Sequence, residues 1–563
     1  MSAHPTWRDV LTDGTLAERH GTDLLFGSAA VRALETAACR ALAPFTLMAR
    51  AGEAAADWLQ ARAPRGHLLL VAGPGNNGGD ALVAATALHE AGRTVTVWLA
   101  ADPARLPDDA RRAWTEARAA NVPIEILHAP ASVPATVTAI VDGLFGIGLT
   151  RPLTGLYAAL VETLNGSALP VYALDIPSGL SGDTGQPPAP DSPVVHARAT
   201  LTFLAAKPGL FTGAGRDATG DLALADLLAA QPAYDGVVEA DAQINTPSRW
   251  LAHIPRRCHN GHKGTYGSVA IVGGAHGMVG APLLSARGAL YLGAGKVHVV
   301  SLAADAPRVD FAQPELMLHP WGALDLGGMQ ALAVGPGMGT GKDAYEALDH
   351  LLDRMLPARI AAVFDADALN LFALAPALLT RLTRLASGGT PVVLTPHPLE
   401  AARLLDTNAR TVQRDRLAAA QALVNRCGTV VVLERFGHRH RRPGRTAGRQ
   451  PDRQRRTGHR RHRRRADRHD RRLARAGRAG ARSGAGGRLA ARPRRGRPRR
   501  RRRRPRRTPR RRTVHAGTPN PQPTAEIRRV PIEHPHGAPL YCAFVFSTLI
   551  HAVCPLPFPP GSP

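Results

Sequence analysis

The feature that most constrains this chain is an alternation that begins twice. Between about residues 67 and 225, short apolar runs ("HLLLVAG", "TVTVWLA", "PIEILHA", "TAIVDGLFG", "PVYALDIPSG", "ATLTFLAA") alternate with segments of helical spacing such as "GDALVAATALHEAG". Continuous apolar runs read as strands buried on both faces, and strand–helix alternation predicts a parallel sheet with helices on either side. The polar connector "NTPSRWLAHIPRRCHNGHKGTYG" follows, and the pattern then restarts with "SVAIVGG", "KVHVVSL", "ALAVGPGMG", "AAVFDADALN", "PVVLTPHPLEA" and "GTVVVLE", with "GAPLLSARGALYLGAG" as a small-residue helix. At 563 residues and 44% apolar content the chain is long enough for both cores.

Charge divides the chain differently. The formal net charge of +27 suggests a polyanionic partner, yet the segment from Arg435 to Arg512 alone holds 36 Arg against 3 Asp and no Lys. The enzyme-like remainder is mildly acidic. Five cysteines (Cys39, Cys258, Cys427, Cys542, Cys554) without a CxxC pair fit a reducing compartment with no disulfide framework or zinc site. "MSAHPTWRDVLTDGT" lacks a signal-peptide pattern, and "LYCAFVFSTLIHAVCPLPF" is broken by His551 and two prolines, so a cytoplasmic protein without a membrane anchor is expected.

Chemistry concentrates at predicted strand ends. "VAGPGNNGGDALVAA" turns from a strand into a helix with glycines that allow close backbone approach, but it is neither a GxGxxG fingerprint nor a P-loop. Asn76, Asn77 and Asp80 put polar groups there. Asp142 in "IVDGLFGIGLTRP" and Asp175 in "ALDIPSGLSGDTG" fall at two further strand ends. In an open parallel sheet the ligand crevice lies outside the carboxyl ends, so the three motifs should converge. Each aspartate alone also fits a helix cap; all three together fit a cap poorly.

With "FTLMARAGEAAADWL", these motifs resemble the NAD(P)H-hydrate epimerase domain over about residues 20 to 235. The resemblance implies a Rossmann-like domain at 1–240. It implies that Asn76, Asn77, Gly78, Gly79, Asp80, the loop Gly146, Ile147, Gly148, Leu149, Thr150, Arg151 and Pro152, and Asp175 contact the hydrated nucleotide. It further implies potassium held by Asn77, Asp142 and Ser178, oxygen donors suited to a hard cation. Asp175 is the expected general acid/base at C6 of the damaged ring, provided the crevice raises its pKa.

The second half places Gly337, Gly339, Asp365, Asp367, Asn370 and His397 at successive strand ends. These motifs resemble the ADP-dependent NAD(P)H-hydrate dehydratase domain from about 250 to 434, which has a ribokinase-like fold. The resemblance implies that Ala281, Gly339 and His397 touch the hydrate and that ADP, with Mg2+, drives dehydration of the S epimer. The expected partners are the hydrates of NADH and NADPH, with no specific nucleic acid and with a homo-oligomer left open. The family pattern next requires a strand ending in Lys-Gly and then a GTGD motif supplying an anion hole and a catalytic aspartate. Here Glu434 and Arg435 stand in place of Lys-Gly, and no GTGD follows.

The run "TGHRRHRRRADRHDRR" supports three readings. It could be a nucleic-acid-binding tail, since dense Arg neutralises phosphates, or a solvated disordered stretch. Neither accounts for the lack of Lys, the lack of stacking aromatics beyond Phe436, or a start inside a domain. Translation out of frame accounts for all three. Reading the same codons one base later, with only degenerate positions chosen, Gln450 to Asp470 permits "NPTGNAALATGGTGDVLTGT" and Arg439 to Gln450 permits "VIAAPDGRPAVN". A frame change near residues 434–438 is therefore expected, with a truncated second domain, an exposed strand edge prone to aggregation, and a disordered, out-of-frame segment over 435–563. The competing enzyme class, a ribokinase-type small-molecule kinase, does not explain "NNGGD" or "DIPSG".

Overall fold

The computed structural model of the protein describes residues 7–12, 15–16, 23–227, 238–254, 256–323 and 325–434. The expectations for 435–563 lie outside the described residues. In chain order the first part contains β1 (Trp7–Thr12), β2 (Thr15–Leu16), β3 (Leu24–Leu25), α1 (Ser28–Ala41), α2 (Thr46–Arg62), β4 (His67–Ala72), α3 (Asn76–Glu90), β5 (Val95–Leu99), α4 (Asp108–Ala119), β6 (Ile124–Ile126), β7 (Val137–Gly143), α5 (Gly155–Gly166), β8 (Val171–Leu174), β9 (Ala199–Phe203), α6 (Gly215–Thr219), β10 (Asp221–Ala225) and β11 (Ala242–Gln243).

Nine of these strands form one sheet in the order β2-β1-β10-β9-β8-β7-β4-β5-β6. The strands read from apolar runs are all parallel, as the alternation requires. The difference lies at the edge. β1 runs antiparallel to β10, from Trp7 opposite Ala225 to Leu11 opposite Leu222, with a register shift between Asp9 and Leu11. Apart from Leu11, its residues are only half-buried, so no continuous apolar run marks it in the sequence. β4 shows why both faces of the sheet are dry. Leu68 and Leu70 belong to the core with α2 and α3, while Leu69 and Val71 belong to the core with α5. Trimming one such fully buried leucine to alanine costs about 2–5 kcal/mol.

The second part contains α7 (Pro247–Trp250), β12 (Ser268–Gly273), α8 (Gly280–Leu292), β13 (Lys296–Ser301), β14 (Met317–Pro320), β15 (Ala331–Val334), α9 (Lys342–Ala358), β16 (Ala361–Phe364), α10 (Asp367–Leu374), α11 (Pro376–Ser387), β17 (Val392–Leu394), α12 (Pro398–Leu404), α13 (Ala409–Arg414), α14 (Arg416–Cys427) and β18 (Val430–Val431). Its seven-stranded sheet is parallel throughout, in the order β14-β13-β12-β15-β16-β17-β18. The small-residue helix forms as α8 and stops at Gly293, whose φ of 111° suits glycine. At the far edge β18 has two residues, and Val430 is 61% exposed. Beside it α14 buries Leu423 and Cys427 in the core. No helix among the described residues is long and apolar enough to cross a membrane.

Candidate active site

In the first sheet the connections leave β4 in opposite directions, toward β5 on one side and β7 on the other, which opens a crevice at their carboxyl ends. The loops after β4, β7, β8 and β9 meet there. Close approach fixes two of the glycines. A Cβ on Gly73 would lie 1.8 Å from the Leu144 carbonyl oxygen, and one on Gly146 would lie 2.5 Å from Asp175 Oδ2. The "GPGNNGGD" turn is thus pressed against the end of β7, and the "GIGLTRP" loop against Asp175.

Asp175 sits just past β8 with φ +63°, a left-handed conformation that costs a non-glycine residue of order 1 kcal/mol and persists only where its surroundings hold it. Its backbone N–H donates to Leu201 O at 2.7 Å. Lys207 Nζ donates to Asp175 Oδ1 at 2.6 Å, and Ile147 N donates to Oδ2 at 3.1 Å. Lys207 is 1% exposed and spends its other two N–H bonds on Thr202 Oγ1 at 2.9 Å and Phe203 O at 2.8 Å. Sequence reading missed this lysine. A single Lys after "ATLTFLAA" looks like an ordinary loop residue; the only clue was its place at yet another strand end.

Three oxygen-bearing residues meet beside this pair. Ser178 donates from N and Oγ to the two Asp142 oxygens, at 2.8 and 2.7 Å, and accepts from Phe145 N at 2.9 Å. Asp142 is 0% exposed, and burial pushes its carboxyl up to about 6 against the lowering effect of the Ser178 and Leu144 hydrogen bonds. Asn77 donates from Nδ2 to Leu174 O at 3.1 Å, leaving its Oδ1 buried without a partner among the described residues.

Not every anticipated residue faces inward. Asn77, Gly78 and Gly79 are buried in the first turn of α3, whereas Asn76 is exposed; of the loop, Gly148, Thr150, Arg151 and Pro152 are exposed and Ile147 and Leu149 half-buried. Two further carboxyls in the crevice are raised. Burial pushes Asp80 well up, with further contributions from Asp175 and Glu35. Burial and then Asp175 raise Glu35, a residue of α1 that motif reading passed over.

The second sheet repeats the plan, with its reversal between β12 and β15. Gly339 N donates to Asp367 Oδ2 at 2.8 Å, and Arg403 Nη1 donates to Asn370 Oδ1 at 2.6 Å. Ala281, half-buried at the start of α8, closes a turn with its N–H on Met278 O at 3.2 Å. His397 is engaged within the protein. Its Nδ1 accepts from Leu399 N at 3.1 Å and Glu400 N at 3.4 Å, capping α12, and its Nε2 lies 3.1 Å from Glu400 Oε1. Burial, then Arg403, holds His397 below the usual imidazole range.

Around it stand three carboxyls, with Arg403 acting on Glu400. Burial raises Asp365. Burial, then Asp365 and Glu434, pushes Glu400 up to about 8. Burial and Asp365 push Glu434, just past β18, up to about 7.

Two parallel sheets in series, each gathering polar side chains where its strand order reverses, define a tandem α/β enzyme with one crevice per sheet. Comparison with known proteins gives the family. The YjeF-related protein N-terminus matches residues 44–209, and the NAD(P)H-hydrate dehydratase family matches 269–437. The bifunctional NAD(P)H-hydrate repair enzyme Nnr of Coxiella burnetii is 36% identical over 421 residues, covering 74% of this chain and 82% of that protein. The Escherichia coli K12 enzyme of the same name is 37% identical, covering 72% and 75%. An NAD(P)H-hydrate epimerase of Bordetella pertussis is 52% identical over 177 residues, covering 31% of this chain and 75% of its own. Among solved structures, an ADP/ATP-dependent NAD(P)H-hydrate dehydratase from Bacillus subtilis, co-crystallised with ATP/Mg2+, is 28% identical over 34% of this chain and 65% of its own, with a TM-score of 0.27. The chain belongs to the bifunctional NAD(P)H-hydrate repair enzymes.

Proposed function

We propose that the first crevice interconverts the R and S hydrates of NADH and NADPH, and that the second descends from an ADP-dependent dehydratase whose activity this chain has lost. The epimerase unit is assigned to residues 1–240 and the dehydratase unit to 250–434. One observation carries the epimerase reading: the Asp175–Lys207 pair, the unpartnered Asn77 Oδ1 and the buried Asp142 share one crevice at the strand reversal.

The residues fit a bound potassium ion. An amide oxygen with no donor and a buried carboxylate with no cation are what a hard monovalent ion relieves, and Ser178 supplies a third oxygen. When bound, the ion would contribute positive charge that holds the β7 and β8 loops together. Asp175, fixed by Lys207 and the Ile147 N–H, presents a carboxylate to C6 of the hydrated ring as the base, and Asn76 to Asp80 and Gly146 to Pro152 enclose the nucleotide. Incubating the full chain with the separated R epimer in potassium buffer, followed by chromatography, should yield the S epimer; no conversion removes this reading.

The second crevice does not fit ADP at its β18 end. Asp365, Glu400 and Glu434 gather carboxyls where a polyphosphate needs cations or free N–H groups. The family pattern has Lys-Gly at Glu434 and Arg435 and a GTGD beyond them, and that motif is recoverable from the codons read one base later. A one-base change of frame near residues 434–438 therefore accounts for the Arg run and the lost activity together. Restoring that frame should produce ADP- and Mg2+-dependent dehydration of the S epimer, while the chain as written shows none; dehydration by the chain as written overturns the assignment.

A further inference from the structure

Epimerisation at C6 needs a proton for the departing oxygen as well as a base for its replacement. In the R to S direction Asp175, whose oxygens accept from Lys207, Thr202 and Ile147 N, serves as the base and cannot also give that proton. Lys207 is equally committed, with its three N–H bonds on Asp175, Thr202 and Phe203. The proton must come from elsewhere in the crevice.

α1 brings in another acid. Its first turn is tied down by Ser28 N donating to Asp183 Oδ1 at 2.5 Å and Gly27 N donating to Asp241 Oδ2 at 2.7 Å. Val31, Leu34 and Ala38 seat the helix on the core, and the Arg32 guanidinium donates to Ile147 O at 3.5 Å, on the loop whose N–H holds Asp175. Glu35 lies three residues beyond Arg32, so it shares that side of the helix. It is half-buried, and among the described residues its carboxyl has no hydrogen-bond partner. The charged and titratable groups that face it are Asp175, Lys207 and Asp80 from the sheet and α3, with Arg32 and Cys39 on its own helix.

We propose that Glu35 is a catalytic residue of the epimerase, the proton donor to the C6 hydroxyl, acting opposite Asp175. This rests on the epimerase reading above. The Glu35 proton passes to the hydroxyl oxygen, the C6–O bond breaks, and water leaves a C6=N1 iminium. A water then adds to the other face of C6, forming a new C6–O bond and giving its proton to Asp175. The two carboxyls end with exchanged protonation and reset by proton exchange with solvent water, and the S to R direction runs the same steps in reverse.

The test uses the full chain, with Glu35→Gln and Glu35→Asp, on the R epimer in potassium buffer. Glu35→Gln should lower kcat about 100-fold, the lower end for loss of a general acid, with KM changed less than about threefold. It should also remove the fall of kcat at high pH, and Glu35→Asp should recover at least part of both. Conversion in 18O-labelled water should place solvent oxygen at C6 in each product molecule, above the level without enzyme. Glu35→Gln within about threefold of wild-type kcat overturns the proposal. So does a product that keeps its original oxygen, even if the variants do not fold. Inactivity of the wild-type chain would instead fail the epimerase reading itself.

Discussion

The two crevices are built alike and charged differently. Each gathers strand-end side chains where the strand order reverses. In the first, the buried Asp175 has a buried ammonium against it, and the crevice also holds the unpartnered Asn77 Oδ1 and the buried Asp142 carboxyl. In the second, burial raises Asp365, Glu400 and Glu434, Asp365 adds to the rise of both glutamates, and no lysine is paired with them among the described residues. Two crevices of one plan can thus differ in charge, because sheet topology places strand ends and only individual side chains set the local potential.

The largest effect should come from breaking the matched pair. Lys207→Met leaves a buried, unpaired carboxylate and should cost about 3–5 kcal/mol in chemical denaturation of the first domain; adding Asp175→Asn should return a good part of it. If Lys207→Met is as stable as wild type, the pair does not hold the first crevice together. Asp175→Asn alone keeps the shape and removes the base, so epimerisation should slow by about 100-fold or more in the chromatographic assay.

Potassium should stabilise only the first domain. Against a large organic cation at equal ionic strength, saturating potassium should add about 1–3 kcal/mol, and Asn77→Ala should abolish the increment. Smallest, and confined to the second domain, is a pH effect. Glu400 and Glu434 have folded pKa values of about 8 and about 7, above the ordinary 4.5, so the neutral form is favoured by folding. Their contribution is fully present below about pH 4.5 and is lost as pH rises through 7 to 8. The thermal midpoint of the second domain should therefore fall by a few degrees between pH 5.5 and 8.5, and Glu434→Gln should flatten that slope.

The contrast also explains what was legible in advance. β4, β5, β7, β8 and β9 declare themselves because a strand buried on both faces is a continuous apolar run, and the polar residues interrupting such runs at Asn77, Asp142 and Asp175 stand out. β1, flanked on its outer side only by the two-residue β2, and the edge strand β14 carry mostly half-buried or exposed residues, so no such run marks them. Lys207 and Glu35 were hidden for another reason: one charged residue in a loop or on an amphipathic helix reads as solvated until tertiary packing encloses it. His397 carried two signals at once. Its position at a strand end suggested a ligand contact, while the Glu three residues later was the sign of the capping box the structure shows.

The seat of α14 against the β18 edge has a use of its own. Cys427, at 0% exposure, closes that helix, and burial pushes its thiol up, while Cys39 and Cys258 are exposed. A thiol reagent will meet the exposed pair at once and Cys427 only when α14 lifts. Its labelling rate is a stopwatch for the opening of this corner, readable by peptide mass spectrometry without any substrate, and it ought to run slower once the reading frame beyond β18 is restored.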